Sequence, residues 1–426
     1  MPATIMEADC ETIAELAETQ SRMESHMRRA ARLSAALALS LSLATLAVVA
    51  QAHTQVLGTG HTPSIASNGK GKMCIVFEGM NEQTGVSDVF CSISDDGGKT
   101  WTPRVDVSPT VGVSTRPRVA IESTGAIDVV WTDTAFGENN PDIFFSRSAD
   151  YGRTWSRATN ISHTPGASRD PEIAVGPNDQ LHVVFAETPA SDLATRDICY
   201  STSADGGKTW TEEHSLENVS QTKSDSAEAS LAVSADGLVH VAWKEENASA
   251  LDRPQIYYSH RTASGWAPGI NVSKNLRYSY HPVIACGANG NVFINWLDRA
   301  RAEGAADIWC ITVKDCVPME PPTRITHTGS IASAAEMTAD KANRIAVVWP
   351  DRALGLNLPR IRIKTMANGT ANPSHSKKFA HNSSVQLAPA VAIDGNNLTV
   401  TWEERRLDRN PIKVRSFSMS ELLSTR

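Results

Sequence analysis

The chain has 426 residues, of which 20% are charged and 41% hydrophobic, and a formal net charge of -7 at pH 7. That composition excludes a disordered chain. The acidic balance gives no electrostatic basis for binding nucleic acid, which depends on clustered Lys and Arg.

The first element in chain order is a leader. Met27 is followed by "RRAAR", an apolar run from Leu33 to Ala50, and "AQA" at Ala50 to Ala52. A basic stretch, a short apolar stretch and a small-residue cleavage site in that order predict a signal peptide cut before His53. The competing reading is a membrane anchor, but the run is short and rich in Ala and Ser, so no stable span is expected after cleavage. Residues 1–52 are thus an N-terminal extension and signal peptide, and the address is secreted or periplasmic. Such an address permits disulfides among Cys74, Cys91, Cys199, Cys286, Cys310 and Cys316. None forms a CxxC pair and the histidines show no ligand spacing, so neither a metal nor a cofactor is expected.

From residue 53 to 426 one unit repeats. It begins at Pro63, Pro117, Pro171, Ala229, Pro282, Ala335 and Pro389, at spacings of 54, 54, 58, 53, 53 and 54 residues. Each copy holds short β-branched and aromatic runs, such as "EIAV", "LHVVF" and "DICYSTS", separated by Gly, Asn and Asp turns. These are strands joined by hairpins. Four strands per unit at this repeat length predict an all-β chain: a single seven-bladed β-propeller of four-stranded blades. The last unit stops at its third strand, "PIKVRSF". "TQVLGTG" (Thr54 to Gly60) is therefore expected to supply the missing fourth strand and close the ring, which removes an open sheet edge.

In the first unit Cys74 and Cys91 are expected to form a disulfide. If Phe77 faces Asp88 across the hairpin, Cys74 and Cys91 are directly opposite and close enough to bond; two buried free thiols are the alternative. Cys286 and Cys316 are a second, weaker pair.

Between the third and fourth strands lie "SDDGGKTW" (Ser94 to Trp101), "SADYGRTW" (Ser148 to Trp155) and "SADGGKTW" (Ser203 to Trp210). The carboxylates of Asp96, Asp150 and Asp205 are suited to accept backbone N–H bonds inside the turn, and the following glycines to adopt positive φ. This pattern resembles the Asp-box, or BNR repeat, of sialidases and related secreted propellers. The resemblance spans essentially the whole chain after the leader and implies the propeller fold. It is less specific for activity, because Asp-boxes also occur in non-enzymatic propellers. In sialidases the boxes lie on the face opposite the active site, which implies a structural role for them here.

Strand direction puts two sets of residues on the other face, at the mouth of the ring. The ends of the second strands give Glu78, Asp133, Glu187, Glu245, Asp298 with Arg299, Asp351 with Arg352, and Glu403. Recurrence in every blade assigns these acids to structure. The two positions before each first strand give Thr115 and Arg116, Arg169 and Asp170, Ala227 and Glu228, and Tyr280 and His281. These differ from blade to blade, so no packing rule explains them. Arg116, Arg169, His281, Arg299 and Arg352 are the candidates to hold a ligand, bidentately if it is an anion. If the chain is an enzyme, the resemblance implies Tyr280 as nucleophile and Glu228 as its activator, with Asp170 beside them.

The sequence departs from the sialidase pattern. "SRDP" has an acid where the family's F/Y-R-I-P motif has Ile, "GHTP" of the first repeat has no Arg, the last Tyr is Tyr280, and sialidases have six blades. The leading expectation is a propeller binding a glycan, an anionic small molecule or a protein at its charged mouth. An exo-acting, sialidase-like glycoside hydrolase is the second.

Overall fold

The apolar runs form strands and the Gly, Asn and Asp runs turn the chain back, so successive strands pair as antiparallel hairpins. The computed structural model describes residues 54–191, 195–211, 216–246, 253–275, 277–299, 306–326, 331–332, 334–352, 358–367, 377–378 and 384–424. The expected leader and cleavage site lie outside these residues. Seven blades follow one another along the chain, with inner strands at His61–Ser67, Ser114–Ile121, Ala167–Val175, Ser226–Val233, Tyr278–Cys286, Glu336–Ala339 and Val385–Asp394. Blades 5 and 6 are stitched into one sheet by Ile331–Ala332, which pairs with Ala306 of one and with Asp351 and Arg352 of the other.

Closure is as the sequence predicts. Gln55–Thr59 pairs antiparallel with Pro411–Ser418 of blade 7, from Gln55 opposite Val414 to Thr59 opposite Pro411. Leu57 packs beside Ile412, Val414 and Phe77, so the strand joins blade 7 to blade 1 through side chains as well as backbone.

The apolar interior is divided among the seams between blades. One cluster lies at each: Val76 and Cys91 with Val129 and Trp131 between blades 1 and 2, for example, and Val348 and Ile363 with Val400 and Trp402 between blades 6 and 7. One repeat position fills these seams with Phe77, Trp131, Phe185, Trp243, Trp296, Trp349 and Trp402, all essentially without exposed surface. Truncating such a ring to Ala costs about 3–5 kcal/mol. With the packing placed between blades, the axis is left open.

The Asp-box is a turn and a wedge. Asp96 accepts from the backbone N–H of Lys99 and Thr100, both at 2.9 Å, and from the hydroxyls of Ser94 and Thr100; Asp150 and Asp205 repeat the pattern. These bonds, the Thr154 hydroxyl first, hold the Asp150 carboxyl down at about 2. Gly98, Gly152 and Gly207 have φ of 84°, 79° and 78°, and each packs against the preceding blade. A Cβ on Gly207 would lie 2.2 Å from the ring of Phe145.

The first hairpin differs from expectation. Its strands Met73–Met80 and Ser87–Ser94 flank a six-residue loop closed by Asn81 N–H to Val86 O at 2.9 Å. Phe77 consequently faces Phe90, Cys91 faces Val76 and Cys74 faces Ile93. The two cysteines are offset by two residues rather than opposed, and both are free thiols packed in the seam between blades 1 and 2. Burial raises the Cys74 thiol well above its ordinary range, which makes it unreactive. Cys286 and Cys316 are free thiols as well.

Among the described residues, no helix is long and apolar enough to cross a membrane, and no cluster of three His, Cys, Asp or Glu could hold a metal ion.

Candidate functional site

Each inner strand begins with a break in its ladder. In six blades the register slips at one point, between Thr115 and Arg118 in blade 2, for instance, and between Tyr280 and Val283 in blade 5. The residue at the break is left-handed in all seven blades: Thr62 (44°), Arg116 (53°), Asp170 (57°), Glu228 (54°), His281 (50°), Ala334 (27°) and Ala388 (42°). Pro follows in five of them, at 63, 117, 171, 282 and 389; lacking an N–H, it suits a point where the ladder is interrupted. A left-handed residue other than Gly costs about 1–3 kcal/mol, so the surrounding structure must hold it. A bulge also re-aims its side chain, and here the aim is toward the axis.

The acids at the ends of the second strands do the holding. The Ser two residues before the bulge donates to Asp133 at 2.8 Å in blade 2, to Glu187 at 2.5 Å in blade 3, to Glu245 at 2.7 Å in blade 4 and to Asp298 at 2.8 Å in blade 5. Trp131 and Trp243 donate their indole N–H to the same acids, at 2.8 Å each. The N–H groups freed by the bulges find neighbours: that of Asp170 donates to Thr132 Oγ1 at 3.2 Å and that of His281 to Glu228 Oε2 at 2.8 Å.

The bulge residues of blades 2 to 5 line one axial cavity of about 670 Å³, together with Arg118, Glu172, Arg196 and Glu336. Arg116 Nε lies 3.0 Å from Asp170 Oδ1. Glu228 accepts from His281 Nδ1 at 3.1 Å and from Lys244 Nζ at 3.1 Å. Burial would raise the Glu228 carboxyl, but His281 and then Lys244 outweigh it and hold the group down at about 2. Arg196 grips Asp225 through Nε and Nη2 at 2.7 and 2.5 Å. Below the bulges, Arg118 Nε meets Glu172 Oε1 at 2.6 Å.

Glu336, at the same depth in blade 6, is different. No hydrogen bond or ion pair within the described residues engages its carboxyl, and its exposed surface is the cavity wall. Burial pushes it up to about 7, with Glu172 adding to the shift and Arg118 and His281 opposing it.

Of the residues expected at the mouth, Arg116, Asp170, Glu228 and His281 meet around the cavity. Arg169 and Tyr280 precede the bulges and keep their pairing with the second strands, opposite Ala186 and Leu297, off the cavity wall. Tyr280 stacks on Tyr278 with ring centroids 6.4 Å apart, Arg299 lies 5.5 Å and Lys244 5.8 Å from its ring, and burial raises its phenol above the ordinary range. Both Glu228 oxygens are engaged elsewhere, so the expected pairing of Glu228 with Tyr280 is not formed. Arg352 is exposed at the end of its strand. Sequence reasoning missed Arg118, Glu172, Glu336, Arg196 and Lys244. The first three had a signal, a charge two residues after the bulge in strands otherwise reading "VAI", "IAV" and "MTA".

The sequence profile of the BNR repeat-like domain matches residues 20–294. The chain belongs to that family. No curated protein matches it. Several solved propellers resemble this BNR repeat-like chain at low identity, which speaks to fold alone. An ulvan lyase, described as a new family of polysaccharide lyase, is 10% identical with a TM-score of 0.60, over 87% of this chain and 98% of that one. The α-L-arabinofuranosidase of Fusarium graminearum is 14% identical with a TM-score of 0.55, over 74% and 97%. A Hadza microbial sialidase is 14% identical with a TM-score of 0.50; the match covers 85% of this chain and 66% of that one.

Proposed function

We propose that this chain is an exported BNR repeat-like propeller that binds a carbohydrate at its charged mouth, with one end of the glycan entering the axial cavity. The observation that carries this reading is the ring of strained bulges. A scaffold that repeats its Trp, its Ser–acid anchor and its Asp-box varies the residue it aims at the axis, from Arg116 through Asp170 and Glu228 to His281. Acids and cations side by side around the axis suit the hydroxyls of a sugar. The structural neighbours named above as lyase, arabinofuranosidase and sialidase accord with it. The leader read from the sequence supports export.

The test is a glycan array probed with the chain from His53 onward. Capture of a glycan that Arg116→Ala abolishes and Arg169→Ala leaves intact supports the reading, since only the first side chain lines the cavity. Equal loss in both variants places the ligand on the outer face of the mouth, and no capture at all contradicts carbohydrate binding.

A further inference from the structure

The axial cavity contains an uneven set of charges. Arg116 is paired with Asp170, Arg118 with Glu172, Arg196 with Asp225, and Glu228 with Lys244 and His281. Glu336 is the carboxyl on this wall that no cation pairs, in a strand whose neighbours on the axis are otherwise Ala335, Met337 and Ala339. Across the cavity Glu172 is its complement, a carboxyl whose 2.6 Å bond to Arg118 favours its ionised form against the rise that burial imposes.

We propose that Glu336 and Glu172 form a hydrolytic pair for a glycoside whose terminal residue enters the cavity, Glu336 as proton donor and Glu172 as base. The proposal rests on carbohydrate binding at the mouth and adds a reaction to it. The proton on Glu336 passes to the glycosidic oxygen as the bond from that oxygen to the anomeric carbon breaks. A water molecule attacks the carbon and yields a proton to Glu172. Exchange of a proton through solvent resets the pair. This chemistry needs two carboxyls in unlike surroundings, and here one is bonded to a cation and the other is not. Burial raises both carboxyls, Glu336 to about 7, and the Arg118 guanidinium bonded to Glu172 opposes the rise at that group. The groups that face Glu336 are Arg118 and Glu172 across the cavity and His281 from the adjoining blade. The cavity, at about 670 Å³, is within the range of small-ligand pockets.

The experiment measures hydrolysis of a panel of 4-methylumbelliferyl glycosides, sialosides included, by the chain from His53 onward. For the sugar cleaved, it then compares the 2,4-dinitrophenyl and methyl glycosides. A proton donor matters in proportion to the basicity of the leaving oxygen. Glu336→Gln is therefore expected to slow the methyl glycoside by about 10²–10⁴-fold and the dinitrophenyl glycoside by less than about tenfold. It should also remove the alkaline fall of the pH–rate profile, which Glu336→Asp retains. Equal slowing of both glycosides by Glu336→Gln overturns the assignment. A wild-type chain that captures glycans on the array but cleaves none of the panel overturns it too, and leaves carbohydrate binding standing. Failure of both assays removes the underlying reading.

Discussion

Glu336 carries a consequence for stability that is independent of any ligand. Its folded pKa of about 7 stands above the ordinary 4.5. A carboxyl raised by folding contributes fully below its unfolded pKa, and that contribution is lost as pH rises through the folded value. Above pH 7 the native state therefore holds an unpaired carboxylate that the unfolded chain would solvate. Allowing for water in the cavity, the penalty is about 1–2 kcal/mol. Glu336→Gln should be more stable than the wild type by that amount at pH 8 and indistinguishable from it near pH 4, as read from urea midpoints. A variant no more stable at pH 8 contradicts the protonation state assigned here. An acid that weakens the fold at neutral pH is the kind of residue kept for use rather than for packing.

Within a blade, the two devices that matter are the bulge and the Asp-box, and they were unequally legible. The Asp-box showed itself as a sequence because its Asp, Gly, Thr and Trp are all required within eight residues by one turn. Its second role was hidden, since nothing local says that Gly207 must admit the ring of Phe145 from the preceding blade. Gly207 and Gly69 make a controlled pair, with φ of 78° and 70° and thus the same backbone strain on substitution. A Cβ at Gly69 meets nothing within 4 Å, whereas at Gly207 it meets Phe145 at 2.2 Å. Gly207→Ala should cost at least about 2 kcal/mol more than Gly69→Ala in chemical denaturation. Equal losses would mean the box is only a turn. The bulge was half legible: the repeat marked two positions before each inner strand, but which of them faces the axis depends on a left-handed residue that no motif announces. Asp170 and His281 turn inward while Arg169 and Tyr280 do not. The cysteine register failed for a similar reason, because the loop after Met80 is set by the Asn81 to Val86 bond and not by strand patterning.

At the scale of the whole ring, the spacing of about 54 residues carried nearly all the information. Seven copies, a last copy one strand short and an unassigned N-terminal strand define the closed propeller. What spacing alone could not convey is the inward charge below the mouth, where Arg118, Glu172 and Glu336 occupy one repeat position in three blades, each a charge in an otherwise apolar strand whose direction is fixed only by the bulge two residues earlier. Closure itself is testable. Deleting residues 54–60 exposes the edge of Pro411–Ser418 and removes Leu57 from the seam between blades 7 and 1. The deletion should lower the melting temperature by at least about 5 °C and promote association through the open edge. A monomeric, equally stable product would show that the seam closes without that strand.

The claim on which the rest depends is that the bulge residues around the axis bind the ligand. Isothermal titration of a captured oligosaccharide into the wild type and into the Arg116→Ala/Glu228→Gln double variant tests it most directly. The account predicts an affinity loss of at least about 100-fold in the double variant, near 3 kcal/mol, with circular dichroism unchanged. Affinities within about twofold of each other would place the binding surface elsewhere on the propeller and contradict the account.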